Sequence, residues 1–172
     1  MADNLTPAER SRVMSRVRAV DTKPEVAIRS LLHRMGFRYR LHVSELPGRP
    51  DIVFPARKKI VLVHGCFWHR HRCQNGRRFP KSRSQFWRRK LEGNKVRDRQ
   101  NILKLRRLGY AVRIIWECQV ARVCTHEGRR DLLKFLGSPL TRLRKRRVAI
   151  PMHSNSARPS PSSRPSTKPT LK

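Results

Sequence analysis

The chain has 172 residues, 42 of them Lys or Arg and 11 Asp or Glu, for a formal charge of +31. A balance so far from neutral makes a polyanion the leading partner, and the longest aliphatic run, Ile60–Val63, falls far short of the roughly 18 apolar residues of a membrane span, so a transmembrane protein is excluded. Hydrophobic residues make up 37% of the chain, which allows one core of ordinary size, about 100–150 residues, plus a tail. Asp3 and Glu9 among the first Arg residues, with no apolar block, fit neither a secretory signal nor a transit peptide, so the protein is expected to stay where it is made. Four Cys in such a chain are expected to be reduced, and beside His they point to metal rather than disulfides.

Thr6-Pro7-Ala8-Glu9 announces a first helix, with a capping hydroxyl, Pro in the first turn and Glu reaching back, running to about Ala19. The signature returns at Thr22-Lys23-Pro24-Glu25, followed by Val26, Ile28, Leu31, Leu32 and Met35 at helical spacing and by Gly36 as a stop. Phe37, Tyr39 and Leu41 alternate with Arg38 and Arg40 as a half-buried strand, and Leu46-Pro47-Gly48-Arg49-Pro50 forces a turn. Asp51–Phe54 and Ile60–Val63, joined by a polar linker, predict adjacent strands. A helical pattern covers Ser84–Leu108 with a break expected at Gly93-Asn94; Gly109 ends it before a strand over Tyr110–Trp116 and a last helix over Arg129–Leu136. The order predicts an α/β domain, a small mixed sheet with helices on its faces. Three parts are expected: an N-terminal helix over 1–19, the main domain over 20–138 and a tail over 139–172. The tail holds nine Lys/Arg, no acid and six of the twelve Pro, and without it 33 basic and 11 acidic residues still leave +22. From Ser154 it cannot bury enough apolar surface to offset its ordering entropy, and it is expected to be disordered, either touching phosphate or solubilising the chain.

The segment His64-Gly65-Cys66-Phe67-Trp68-His69-Arg70-His71-Arg72-Cys73 follows a strand and holds three His and two Cys. Cys66, Cys73 and one His can supply three of the four tetrahedral ligands of a structural zinc, with Cys118 favoured over Cys124 as the fourth; the plain alternative is unligated thiols in a core. Asp51, after Pro at a strand start, suits a magnesium site for phosphodiester hydrolysis, although such an Asp is also an ordinary turn residue. Glu25 is explained by capping and Asp98 by pairing with Arg on an exposed helix, yet carboxylates are scarce enough here that a metal is one reason to keep them. Two consecutive aromatics, Phe67 and Trp68, cannot both face one side of a strand, so at least one is expected at the surface, where it can wedge into a base stack. The stretch Arg77–Lys90, interleaved with Phe79, Phe86 and Trp87, reads as a backbone-contact surface or a solvated helix face.

Together, Pro50-Asp51-Ile52-Val53, Val63-His64-Gly65-Cys66-Phe67-Trp68-His69 and Trp116-Glu117-Cys118, with Thr22–Glu25, Arg83 with Phe86-Trp87, and Asn94–Arg99, closely resemble the very short patch repair endonucleases, from about Arg12 to Leu136. The resemblance implies a restriction-endonuclease-like core and a bacterial cytoplasmic enzyme acting at the nucleoid. Its activity would be a nick in double-stranded DNA 5′ to the T of a T:G mismatch left by 5-methylcytosine deamination, starting very short patch repair, with mismatch-repair proteins as further partners and action as a monomer. It implies Mg2+ on Asp51 and the Val63 backbone carbonyl, where Val63 departs from the acid and Lys that the wider superfamily places on this strand. It further implies His69 as general base, His64 near the scissile phosphate, and Glu25 and Asp98 as carboxylates holding metal-bound waters. Structural Zn2+ falls to Cys66, His71, Cys73 and Cys118, and Met14, Phe67 and Trp68 match residues that wedge into DNA. The competing expectations are a non-catalytic, zinc-stabilised DNA-binding protein, for which Asp51 is dispensable, and a restriction-type nuclease.

Overall fold

The computed structural model describes Thr6, Ala8, Glu9, Arg12 and residues 20–139. The remainder of the expected first helix, Met14 included, and the tail from residue 140 lie outside the described residues. At the chain start the expected cap is present: Thr6 Oγ1 accepts from Glu9 N at 3.3 Å, and Glu9 Oε2 accepts from Thr6 N at 2.8 Å.

Helix α1 (Lys23–Arg34) begins as its sequence dictates, with Thr22 capping Glu25 N and Pro24 in the first turn. It ends at Met35, where Gly36 takes the left-handed turn (φ +85°) that a side chain disfavours. The next expected strand is cut down to β1 (Arg40–Leu41). Phe37 and Tyr39 instead pack edge-on against Phe54 at 5.9 Å each, Leu41 is exposed, and His42 at φ +46° bends the chain away from the ladder. Strands β2 (Ile52–Phe54) and β3 (Lys59–His64) pair antiparallel across a 3-10 turn, and β4 (Ala111–Trp116) pairs parallel with β3, giving a mixed sheet of order β1-β2-β3-β4.

A parallel pair needs a long crossover. Here it contains the short helix α2 (Gln74–Arg77) and the 24-residue α3 (Ser84–Arg107). The expected break at Gly93-Asn94 does not occur. Gly93 lies on an open face with nothing within 4 Å of where a Cβ would sit, and one exposed glycine weakens a helix by only about 1 kcal/mol relative to Ala. After β4 come the short α4 (Val120–Val123) and α5 (His126–Leu136), which is capped by Thr125 and starts three residues earlier than the periodicity predicts.

The strands read as continuous apolar runs because both faces of the sheet are covered. Ile52, Phe54, Val61, Val63 and Ile115 point to one side, where they join Ile28, Leu31 and Leu32 of α1 and Leu132 and Leu136 of α5. Val53 and Ile60 point to the other and meet Leu105 of α3. The antiparallel pairing of β2 with β3 puts the loop after β3 and the entry to β2 at one end of the sheet.

Candidate active site

At that end lies an open cleft of about 1070 Å³, walled by Asp21–Glu25, the Pro47–Asp51 turn, Leu62–Gly65 and the Lys90–Asp98 stretch of α3. Five of the chain's eleven acids line it: Asp21, Glu25, Asp51, Asp98 and Glu117. In a chain of net charge +31 this is a local reversal of sign, suited to a cation.

Asp51 enters β2 beside the end of β3, and its Oδ2 accepts from Val63 N at 2.8 Å. Burial raises its carboxyl above the usual range; the Val63 N–H pulls it down, Glu25 pushes it up, and His42 and Arg29 pull it down. A half-buried carboxylate left short of compensating charge fits a hard cation. Val63 brings no donor side chain, so a cation here would be held by Asp51 and backbone or water oxygens, the donor set of magnesium.

Two imidazoles stand next to it. His64 and His69 stack with centroids 3.9 Å apart and planes 12° from parallel. His69 Nδ1 lies 2.5 Å from Asp98 Oδ2. A carboxylate can only accept, so Nδ1 carries the proton and Nε2 is left as the basic nitrogen. His64 is buried, and desolvation first, then the neighbouring His69, lowers its pKa to about 4 against a small opposing effect of Asp98. It is therefore neutral near pH 7.

The loop after β3 folds back so that one ligand atom each from Cys66, His71, Cys73 and Cys118 lies within 4.8 Å of every other. Cys66 Sγ and Cys118 Sγ are 3.8 and 3.4 Å from His71 Nδ1. Zinc bond lengths of about 2.3 Å to sulfur and 2.0–2.1 Å to nitrogen place tetrahedral neighbours about 3.5 Å apart, so the set fits that ion. Burial pushes the Cys66 thiol up to about 12, whereas the Gly76 N–H and then His71 pull Cys73 down to about 6. A bound cation would favour the thiolate form of all three Cys, since metal ligation displaces the thiol protons. Cys124 is not among the four; it packs against the core. Of the three His in the loop, His71 joins the thiols and His69 faces Asp98, a division that ligand spacing alone leaves open.

Glu25 is more committed than capping requires. Its Oε1 accepts from Thr22 Oγ1 at 2.9 Å, and its Oε2 from Asp21 N at 3.0 Å and Arg29 Nη2 at 2.8 Å. Asp98 is not paired with Arg in the described ion pairs; it serves His69. Phe67 and Trp68 are both half-buried and pack with Trp87 at 5.6 and 6.1 Å, so neither stands fully outward as an isolated wedge would. Asn94 Nδ2 donates to Trp68 O at 3.1 Å and ties this loop to α3. In the basic stretch Arg77, Arg78, Lys81, Arg83, Arg88, Arg89 and Lys90 are all exposed, as a backbone-contact surface and a solvated helix face both require.

The sequence model of the family described as DNA mismatch endonuclease Vsr matches residues 2–75. The type II nicking enzyme V.XorIIP of Xanthomonas oryzae pv. oryzae is 46% identical over 129 residues, 75% of this chain and 94% of its own. The chain belongs to the Vsr DNA mismatch endonuclease family. Two further relatives are the type II nicking enzyme V.NmeAIP of Neisseria meningitidis serogroup A, 42% identical over 70% of this chain and 85% of its own, and the DNA mismatch endonuclease Vsr of Escherichia coli, 41% identical over 69% and 75%. As a Vsr family member the chain is an endodeoxyribonuclease with DNA as its partner, which sets aside the non-catalytic binding protein. Among the described residues no helix is long and apolar enough to cross a membrane.

Sequence reasoning missed several residues of this Vsr-type site. Trp116 stacks on His71 at 4.4 Å and meets His64 edge-on at 5.4 Å, joining the thiol cluster to the imidazole pair. Glu117 Oε2 accepts from Cys66 N at 3.1 Å. Buried Arg29 links Glu25 to half-buried His42 and exposed Asp21 in one network. The advance signals were the place of Trp116 and Glu117 in the Trp116-Glu117-Cys118 run and the i,i+4 spacing of Glu25 and Arg29.

Proposed function

We propose that the chain nicks one strand of duplex DNA 5′ to the T of a T:G mismatch, in a magnesium-dependent hydrolysis that opens very short patch repair. The observation that carries this reading is the convergence of Asp51, His64 and the Asp98-held His69 in one acidic cleft on an otherwise basic enzyme. The words "mismatch endonuclease" in the names of the family and of the Escherichia coli relative support a mismatch as the substrate, and "nicking" in the names of other relatives supports cleavage of one strand.

In this mechanism Asp51, with the Val63 carbonyl, would hold Mg2+, which when bound would supply Lewis-acid stabilisation of the scissile phosphate and make an attacking water more acidic. His69 Nε2 takes the proton of the water that attacks the phosphate, and Asp98 steadies the imidazolium that results. Neutral His64, stacked on His69, keeps the second ring from adding charge that would oppose this protonation. Cys66, His71, Cys73 and Cys118 would hold structural Zn2+, which would fix the loop that carries His69. Phe67, Trp68 and Trp87 form the aromatic surface beside the cleft. Phe67 and Trp68, with Met14, are assigned to the unstacked mismatch, where a wedge costs about a few kcal/mol and least at a mispair.

Strand-specific cleavage of otherwise identical T:G and C:G duplexes, across several cytosine-methylation contexts and with Mg2+ or EDTA, tests the proposal. A nick confined to the mismatched T strand and abolished by EDTA is expected. Equal cutting of matched DNA would replace it with a restriction-type nuclease.

A further inference from the structure

Asp21, Glu25 and His42 place one ligand atom each within 4.8 Å of one another, the pattern of a metal site. A guanidinium already fills it. Arg29 Nη1 donates to Asp21 Oδ1, and its Nη2 donates to Glu25 Oε2 at 2.8 Å and lies 2.7 Å from His42 Nε2. Tyr39 OH donates to the Arg29 carbonyl at 2.8 Å and anchors the same residue from behind. Arg29 is buried, and its Nε has no hydrogen-bond partner. An orphaned buried N–H is unfavourable, so the side chain is held here for what its two terminal nitrogens do.

With Arg29 and the Asp21 N–H on Oε2 and Thr22 Oγ1 on Oε1, neither Glu25 oxygen is without a donor. Glu25 nonetheless lines the same cleft as Asp51. We propose that Arg29 is a positioning residue that keeps Glu25 from binding the active-site cation directly and reserves it for that cation's water shell. The inference rests on the reading that Asp51 holds Mg2+. A second direct carboxylate would tighten the metal and withdraw a water from it; the guanidinium fork blocks this by occupying the oxygen and by adding positive charge that the dication must meet. A merely structural Arg would have the opposite signature, since its loss would loosen the site and weaken metal binding.

The test is Mg2+ titration of the zinc-loaded full chain by calorimetry, alongside the Mg2+ dependence of nicking. Arg29→Met is expected to bind Mg2+ roughly tenfold more tightly, to reach half-maximal nicking at lower Mg2+ and yet to nick more slowly at saturation. In Arg29→Met with Glu25→Gln the tightening disappears. Should Arg29→Met not fold, Arg29→Lys, which keeps the charge and loses the fork, is expected to show the same tightening in smaller measure. Unchanged or weaker Mg2+ binding in a folded variant, or tightening that persists without the Glu25 carboxylate, would overturn the proposal. A wild-type chain that fails to nick T:G duplexes would count against the proposed function alone, because the calorimetric comparison still decides the role of Arg29.

Discussion

An imidazole accepts a proton only through a nitrogen that carries none, and Asp98 decides which nitrogen of His69 that is. Replacing His69 with Ala should lower single-turnover nicking by about 10²- to 10⁴-fold. Asp98→Ala should lower it less, and the double variant should fall no further than His69→Ala, because Asp98 acts through the ring. Additive losses in that cycle would place Asp98 in a separate role. His64 makes its own statement about pH. Its folded pKa is about 4 against ~6.5 in the unfolded chain, so between those values the unfolded state binds a proton that the folded state refuses. The contribution is fully present above pH ~6.5 and is lost as pH falls toward 4, on the order of 3 kcal/mol in all. Thermal melts of wild type and His64→Gln from pH 7 to 4 should therefore differ in slope, with the wild type losing stability faster on acidification.

Among the elements, the loop after β3 is held by one small residue. A Cβ on Gly76 would sit 2.0 Å from the His71 carbonyl oxygen and 2.8 Å from that of Cys66. Both contacts are backbone, so neither can swing aside. Gly76→Ala should displace the segment carrying Cys66, His71 and Cys73, and the purified protein should carry less than half the wild-type zinc by elemental analysis; full zinc would show that the loop tolerates the shift. Elements ruled by local chemistry were legible in the sequence: the Thr22 cap and Gly36 stop of α1, the β2–β3 pair, and β4 after Gly109. Elements ruled by tertiary contacts were not. Phe37 and Tyr39 alternate like strand residues but pack on Phe54, and Gly93 looks like a break because propensity says nothing about the bonds on either side of it. The site divides the same way. Asp51, the His pair and the thiol set were legible through the motifs that carry the family resemblance, whereas residue type alone left Asp51 an ordinary turn residue and the roles of the His undivided. His42 and Arg29 carry no mark of their role in residue type, and Trp116, although it stands in the Trp116-Glu117-Cys118 run, shows its part only through what the fold places beside it.

For the molecule as a whole, charge governs the encounter with DNA. A surface this basic binds duplex of any sequence through phosphate contacts, each adding about −0.9 to the slope of log affinity against log salt. Deleting residues 140–172 removes nine positive charges and no negative ones. The truncated enzyme should show a shallower salt slope on matched duplex while retaining nicking at low salt. An unchanged slope would mean that the tail makes no phosphate contact.

The acidic cleft set into that basic surface is the central feature, and Asp51 is its focus. Binding and nicking of a T:G duplex by wild type and Asp51→Ala, measured in the same Mg2+ buffer, separates holding DNA from cutting it. The account predicts that the variant binds the duplex about as tightly as wild type and leaves both strands intact. Nicking at an undiminished rate by Asp51→Ala would contradict it.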